Sequence, residues 1–265
     1  MSETVPAPTE SRGAAFLGVS LKLYLDHPTT LEWCRSVSDI AIDCAAIGDG
    51  RVELVVLPAV TALSAVAEIL GPAGVAIGGQ DLWAEDRGPF TGEISGADLV
   101  AIGCRFVEVG HAERRRIFGE TDEVVRRKLA AAARNGLTPL LCIGEEHRGN
   151  ARDAAGECIR QLRAAVDGDD GKAPGLRDLV IAYEPAWAIG AAEAAPPAHI
   201  ALVCSAIKRW AGNRLNATSV RVIYGGAAGE GTVSKLGDSV DGLFLGRSAH
   251  DPARLARVIC EVSAC

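Results

Sequence analysis

The sequence predicts an α/β protein folded as a single (β/α)₈ barrel. Short apolar runs alternate with longer amphipathic stretches along the 265 residues, a pattern typical of parallel strands joined by helices. The runs are almost continuously hydrophobic, as expected for strands covered on both sides. No long linker or change of composition divides the chain. An open doubly wound sheet is the alternative, but no Gly-x-Gly-x-x-Gly pattern follows the first run.

The predicted strands are short and rich in apolar residues that favour β-structure. They are Phe16–Lys22, Val52–Leu57, Val75–Gly79, Phe106–Val109, Thr138–Ile143, Leu179–Tyr183, Val220–Tyr224 and Gly242–Leu245. In a barrel of such strands, the carboxyl ends and the loops that follow them form one rim, and the chemistry takes place there.

The main predicted helices lie between these strands. They are Thr30–Ala46, Ala62–Leu70, Asp122–Asn135, Ala151–Val166, Pro197–Ala211 and Pro252–Val262. Capping residues support their limits. Thr121 precedes an acidic pair and is expected to cap its helix, which Asn135-Gly136 then ends. Asp251-Pro252 places a cap and a first-turn proline at the last helix.

The domain organisation is expected to be simple. Residues 1–14 are polar and contain prolines, which indicates a disordered lead-in without the apolar segment of a signal peptide. Residues 15–265 would form the barrel. The longest uncharged run, residues 54–67, is too short to span a bilayer and contains Pro58. We therefore expect no membrane association.

Charge and cysteine content narrow the class of protein. A net charge of −7 with no evident basic face argues against a nucleic-acid partner. The eight cysteines are scattered through apolar stretches without a Cys-x-x-Cys pair, which favours free thiols and a cytoplasmic location. Cysteine and histidine do not show metal-ligand spacing. We expect neither a metal nor a cofactor.

Three polar residues stand at the expected catalytic rim. Lys22 ends the first apolar run, where an unpaired ammonium would be costly, so a functional role is favoured. His111 precedes a segment that can open a helix, whose positive end would keep the imidazole neutral. Glu184 follows an apolar strand, and burial would raise its pKa and make it a base. Taken alone, Glu184 is better explained as a salt-bridged rim residue, and His111 is equally well explained as a hydrogen-bonded core residue.

Several segments together resemble the triosephosphate isomerase family. They are Ala182-Tyr-Glu-Pro-Ala-Trp-Ala-Ile-Gly190, Gly110-His-Ala-Glu-Arg-Arg115, Gly88-Pro-Phe-Thr-Gly-Glu-Ile-Ser95, Cys142-Ile-Gly-Glu145 and Tyr224-Gly-Gly226. They occur in the order of that family, and the similarity runs from about Phe16 to the C-terminus. The resemblance implies a TIM barrel and an isomerase of small sugar phosphates.

The resemblance also implies roles for four residues. Glu184 would remove the proton beside the substrate carbonyl and return it to the neighbouring carbon. Neutral His111 would polarise the carbonyl and move protons between the enediol oxygens. Lys22 would stabilise the developing negative charge, with Glu113 as its buried partner.

Further residues are expected by the same resemblance to hold the phosphate. The mobile lid would be residues 185–192, and Gly190 within it would offer its amide. The Gly225-Gly226 turn, Ala227 and the Gly246-Arg247 segment would complete the phosphate site with N–H donors. Closure of the lid would keep water away from the enediolate.

The chain departs from the family pattern around the substrate. Ser20 and Tyr24 replace asparagines, Leu21 a tryptophan, Ala112 and Ala227 serines, Ala191-Ala192 a Thr-Gly pair, and Arg247 the second of two glycines. The smaller Ser20 leaves room for a longer substrate, and Arg247 adds a cation near the phosphate or an added hydroxyl. Because Lys22, His111 and Glu184 are all present, altered specificity is favoured over lost activity.

A Gly-x-Ser-x-Lys start and a Leu-Phe-Leu-Gly-Arg end resemble the tetrulose-phosphate branch of the family, which serves tetritol catabolism. The implied reaction converts L-erythrulose 1-phosphate to D-erythrulose 4-phosphate. The triose pair, dihydroxyacetone phosphate and glyceraldehyde 3-phosphate, is the alternative. A non-catalytic phosphate-binding barrel is the rival from another class.

The segment Pro89-Phe-Thr-Gly-Glu93 resembles the loop by which family members reach into a neighbouring subunit. Thr91 stands at its tip. The resemblance therefore implies a homodimer.

Overall fold

The structure is a computed structural model that describes residues 13–167, 175–191, 194–215 and 217–264. Of the expected lead-in, only Gly13 and Ala14 fall within these ranges. Ala192, the expected last residue of the lid, lies outside the described residues. No helix in the described ranges combines the length and apolar character needed to cross a membrane.

The strands form one closed parallel barrel, which confirms the predicted fold class. In chain order, β1 to β8 are Ala15–Ser20, Val52–Leu57, Ala76–Gly79, Phe106–Val109, Thr138–Ile143, Asp178–Tyr183, Ser219–Tyr224 and Gly242–Leu245. Each strand pairs with the next, and β8 pairs with β1 to close the barrel. An open doubly wound sheet is thereby ruled out.

The described α-helices surround the barrel. In chain order, α1 to α10 are His27–Asp43, Ala45–Gly48, Leu63–Leu70, Gly96–Ala101, Ala112–Phe118, Asp122–Arg134, Ala151–Val166, Pro197–Arg214, Thr232–Leu236 and Pro252–Ser263. The predicted caps are confirmed: the Thr121 side chain accepts from the Val124 N–H, and Asp251 accepts from the Ala253 N–H.

The first predicted helix and the first predicted strand have different limits in the structure. The first helix begins at His27 rather than Thr30, because Asp26 caps it by accepting from the Thr29 N–H. It ends at Asp43, with an extended backbone at Cys44 before α2. The first strand ends at Ser20 rather than Lys22, although the following N–H of Leu21 still donates to Leu57 of β2.

Alternating strand residues divide the core into two layers. One layer lies between strands and helices, and the other fills the barrel interior. The interior cluster is Phe16, Val55, Leu57, Ala76, Phe106, Leu140, Cys142, Val180, Ala182, Ile223 and Phe244. Since strand side chains point inward at every second position, Ser20 of β1 and Glu108 of β4 also face the interior, towards the carboxyl ends of the strands.

Candidate active site

The expected site residues converge at the carboxyl ends of the strands. A cavity of ≈ 490 Å³ there is lined by ten of the eleven predicted residues, namely Ser20, Lys22, His111, Glu184, Gly190, Gly225, Gly226, Ala227, Gly246 and Arg247. The eleventh, Glu113, lines a neighbouring cavity of ≈ 500 Å³. Ser20, Lys22, Tyr24 and His111 line both, so the two cavities meet at these side chains.

Lys22 follows β1 in a backbone conformation that side chains rarely adopt. Its φ is 50°, in the left-handed region, so the chain turns sharply at the rim instead of continuing the strand as predicted. The Nζ donates to Glu113 Oε1 at 2.8 Å. The expected pairing is present, but the Glu113 side chain is 32% exposed rather than buried, because it lies on α5 at the mouth of the cavity.

The charges around Lys22 favour its ammonium form. Burial alone lowers the pKa of Lys22, but the hydrogen bond and charge of Glu113, with the charges of Glu184 and Glu108, outweigh it and leave the pKa above its ordinary value. Lys22 is therefore a cation inside the cavity throughout the neutral range.

His111 is held in one tautomer by the start of α5. It is buried and caps that helix, and its Nδ1 accepts from the Glu113 N–H at 3.1 Å. A nitrogen that accepts a hydrogen bond carries no proton, so the single ring proton resides on Nε2. Nε2 lies 3.4 Å from Glu184 Oε2. The imidazole is thus a neutral N–H donor towards the cavity.

Glu184 is a buried carboxyl group directly after β6. Burial raises the pKa of Glu184, and the charge of Lys22 opposes that shift only in part. Its Oε2 has no hydrogen-bond partner among the described residues. A carboxylate that is poorly solvated and carries a free lone pair is a competent base.

Gly225 leaves the space that the Glu184 side chain occupies. A Cβ at Gly225 would lie 2.6 Å from Glu184 Oε1, so any other residue there would displace the Glu184 side chain. The Gly225 N–H donates to the Tyr183 carbonyl at 2.9 Å. That amide was expected to hold phosphate, but it is already occupied by this bond between β7 and β6.

Arg247 lies at the end of the cavity that Ile189, Gly190 and Ala191, residues of the expected lid, also line. It begins a 3₁₀ turn after β8, and its Nη2 donates to the Gly190 carbonyl at 3.5 Å. Its guanidinium also stacks over the Tyr24 ring, 5.7 Å from the centroid. The departure from the family pattern therefore adds a cation that contacts the lid.

The lid segment is anchored to the loop after β5. Residues Ala186–Ala188 form a 3₁₀ turn, the Trp187 Nε1 donates to Glu145 Oε1 at 2.8 Å, and the Ala186 N–H donates to the Glu145 carbonyl at 2.9 Å. These bonds set the position of Ile189 and Gly190 beside the cavity.

The sequence did not single out Glu108, a buried carboxyl group beside the reacting groups. Its carboxyl group is buried and accepts from the Ser20 hydroxyl at 3.0 Å through Oε2. Burial raises the pKa of Glu108 to about 7, with a further rise from the charge of Glu184 and only partial opposition from the charge of Lys22. A charged residue inside the apolar run Phe106–Val109 was the available signal, and it is the same signal that singled out Lys22.

A base, a neutral N–H donor and an ammonium around one cavity can move a proton between adjacent carbons. The base removes a proton beside a carbonyl, while the donor and the cation stabilise the charge that develops on the oxygen. This chemistry is that of an isomerase.

Comparison with known proteins agrees with the site. The sequence model of triosephosphate isomerase matches residues 15–262. The L-erythrulose-1-phosphate isomerase of Pectobacterium atrosepticum is 50% identical over 245 residues, covering 92% of this chain and 94% of that protein. The triosephosphate isomerase of Moorella thermoacetica is 38% identical over 222 residues, covering 80% and 87%. That of a Synechococcus strain is 42% identical over 202 residues, covering 75% and 77%. The chain belongs to the triosephosphate isomerase family and is a sugar-phosphate isomerase.

Proposed function

We propose that the enzyme interconverts L-erythrulose 1-phosphate and D-erythrulose 4-phosphate. The observation that carries the proposal is the 50% identity, over 92% of the chain, to a relative named for the first of these compounds. Relatives named triosephosphate isomerase are 38% and 42% identical over shorter shares of the chain. Ser20 and Arg247, which depart from the family pattern, line the same cavity as the reacting groups. Residues that select a different substrate are expected at such positions.

The proposed reaction passes through an enediol. Glu184 removes the proton from C3 of L-erythrulose 1-phosphate, and the electron pair of the C–H bond forms the C2–C3 double bond. The carbonyl oxygen gains negative charge, which the Nε2–H of His111 and the ammonium of Lys22 stabilise. The C2 oxygen takes the Nε2 proton of His111, and the hydroxyl proton on C3 passes to that nitrogen. Return of the carbon-bound proton from Glu184 to C2 then leaves a carbonyl at C3, which is C2 of D-erythrulose 4-phosphate. Atoms and charge balance without a co-reactant.

The phosphate is proposed to bind under the lid. Arg247 provides charge and directional donors there, while Gly190, Gly226, Ala227 and Gly246 line that part of the cavity without bulky side chains. Lid closure would exclude water from the enediolate, from which phosphate can otherwise be lost.

The second candidate is the triose pair. It is favoured by the several relatives named triosephosphate isomerase and by the fact that a triose needs the same base, donor and cation. A tetrulose differs from dihydroxyacetone phosphate only by a hydroxymethyl group on the carbon that loses its proton. Rates with the two substrates therefore decide between them.

The deciding experiment compares kcat/KM for L-erythrulose 1-phosphate and for dihydroxyacetone phosphate with one enzyme preparation. We expect the tetrulose to be preferred. Equal or faster turnover of the triose would overturn the four-carbon assignment. Exchange of the substrate C–H hydrogen with deuterated solvent, followed by NMR, tests catalysis itself, and binding without exchange would favour a phosphate sensor.

We also propose a cytoplasmic homodimer. The loop around Thr91 is exposed, and the outer part of the second cavity carries exposed apolar side chains, with Leu23 at 86%, Ile117 at 61% and Phe118 at 66% exposure. A loop from a second copy would cover them. The free thiols of the seven described cysteines are consistent with a reducing compartment. Thr91→Arg should shift the mass measured by analytical ultracentrifugation from dimer towards monomer, and an unchanged mass would contradict this interface.

A further inference from the structure

Glu108 is a buried carboxyl group that the proposed mechanism does not use. It stands two residues after Phe106 on β4 and shares the inward face of that strand. The nearest described cationic or potentially cationic side chain is His111, whose Nε2 lies 3.9 Å from Glu108 Oε1. A carboxyl group kept in such a place costs stability, so a specific partner or task is expected for it.

One of the two carboxyl oxygens lacks a strong donor. Oε2 accepts from the Ser20 hydroxyl at 3.0 Å, and this bond fixes the orientation of the group. The only described hydrogen-bond contact of Oε1 is the weak donor Cys142 Sγ, at 3.9 Å. A buried acceptor of this strength is normally satisfied by a full hydrogen bond. Oε1 is therefore available to a donor that arrives with a ligand.

The direction in which a donor would arrive follows from the two cavities. The first extends from the reacting groups to Arg247 and Gly190, where the phosphate is proposed to lie. The second begins at the same reacting groups and extends away from the lid, and Glu108 lines only this second cavity. A substrate anchored by its phosphate in the first cavity therefore points its far end at Glu108.

The distances suit a substrate one carbon longer than a triose. An oxygen bonded to His111 Nε2 lies ~3 Å from that atom, and Glu108 Oε1 is 3.9 Å from the same atom. A hydroxyl two carbons further along can reach Oε1 while the first oxygen keeps its bond to the imidazole. In a triose the chain ends one carbon before this point.

We propose that Glu108, oriented by Ser20, accepts a hydrogen bond from the C4 hydroxyl of the four-carbon substrate and so determines specificity for it. The inference rests on the proposed function. It gives the Ser20 hydroxyl a positioning role, because its proton is already committed to Glu108 and not to the substrate. The raised pKa of Glu108 agrees with a group whose charge is left without a close partner until a ligand binds.

The test combines a change in the enzyme with a matched change in the substrate. Two substrates are compared, L-erythrulose 1-phosphate and its 4-deoxy analogue, in which a methyl group replaces the terminal hydroxymethyl. The enzymes are wild type, Glu108→Leu and Glu108→Gln. We expect wild type to prefer the hydroxylated substrate by about 10- to 100-fold in kcat/KM, the range for a hydrogen bond to a charged group. In Glu108→Leu that preference should fall to within about threefold of unity.

Glu108→Gln keeps a neutral acceptor, so its preference should lie between the other two. If Glu108→Leu does not fold, the intermediate preference expected of Glu108→Gln still tests the proposal. The control is Glu53→Gln, which removes a carboxylate near the amino end of β2 that pairs with Arg105 and Arg221 and lines neither cavity. It should keep the wild-type preference.

The possible outcomes distinguish a failure of the role proposed for Glu108 from a failure of the proposed function. An unchanged preference in both Glu108 variants, or a wild-type preference near unity, overturns the role of Glu108 while tetrulose turnover survives. A wild-type enzyme that does not isomerise the tetrulose at all refutes the proposed function, and the role of Glu108 is refuted with it. Loss of the preference in the Glu108 variants alone establishes the contact.

Discussion

Replacing Glu108 by glutamine should stabilise the fold at neutral and alkaline pH. The folded-state pKa of Glu108 is about 7, against 4.5 for an ordinary glutamate. Because the folded pKa is the higher one, the folded state binds more protons between these values, and wild-type stability falls as pH rises through this window. At 1.36 kcal/mol for each pKa unit, the full cost above pH 7 is about 3 kcal/mol. The glutamine cannot ionise, and its amide oxygen can still accept from Ser20.

The assay is urea unfolding of wild type and Glu108→Gln at several pH values from 5 to 8, at one protein concentration. The variant should gain relative stability from pH 5 to about 7 and level off above that, by up to about 3 kcal/mol in all. Glu113→Gln is the control, because the pKa of Glu113 is shifted in the opposite direction. The pKa of Glu113 is lowered because its bond to Lys22 outweighs burial, so its loss should cost stability without a slope over the same range. A flat difference for Glu108→Gln would refute the reasoning.

Three further predictions concern activity. Glu184→Gln should lower kcat by ~10²–10⁴, the usual contribution of a general base, and a near-wild-type kcat would contradict the assignment. Gly225→Ala should lower kcat by up to ~10², because its Cβ would displace the base, while Gly212→Ala, with open space around its Cβ, should keep full activity. Arg247→Gln should raise KM by about 10-fold or more with a smaller change in kcat, as expected for a lost charged contact to phosphate; an unchanged KM in steady-state assays would place the phosphate elsewhere.

Much of the barrel was predictable because its signal is local. Each strand is an apolar run bounded by turn or capping residues, so seven of the eight observed strands begin within one residue of the predicted start and end where predicted. Only β1 ends elsewhere. The error at Lys22 has a physical reason. Leu21 and Leu23 extend the apolar run past the point where the backbone turns, and sequence hydrophobicity carries no information about φ.

The missed and revised parts of the site depend on distant contacts. Ser20 and Glu108 are 88 positions apart, and their hydrogen bond appears only when β1 and β4 face each other across the barrel. For the same reason, Ser20 was interpreted from its small size alone, as space for a longer substrate. Similarly, the bond from the Gly225 amide to Tyr183 could not be anticipated from a glycine pair.

Glu113 is attached to two of the reacting groups at once, since its backbone N–H holds the His111 ring and its carboxylate holds the Lys22 ammonium. A small displacement of the first turn of α5 therefore moves the His111 ring and the Lys22 ammonium in the same direction and keeps the distance between them. The pair can adjust to products and substrates of different shape as a unit, while residues elsewhere around the cavity are replaced. Such a shared attachment keeps the spacing of these two groups independent of the other side chains that line the cavity.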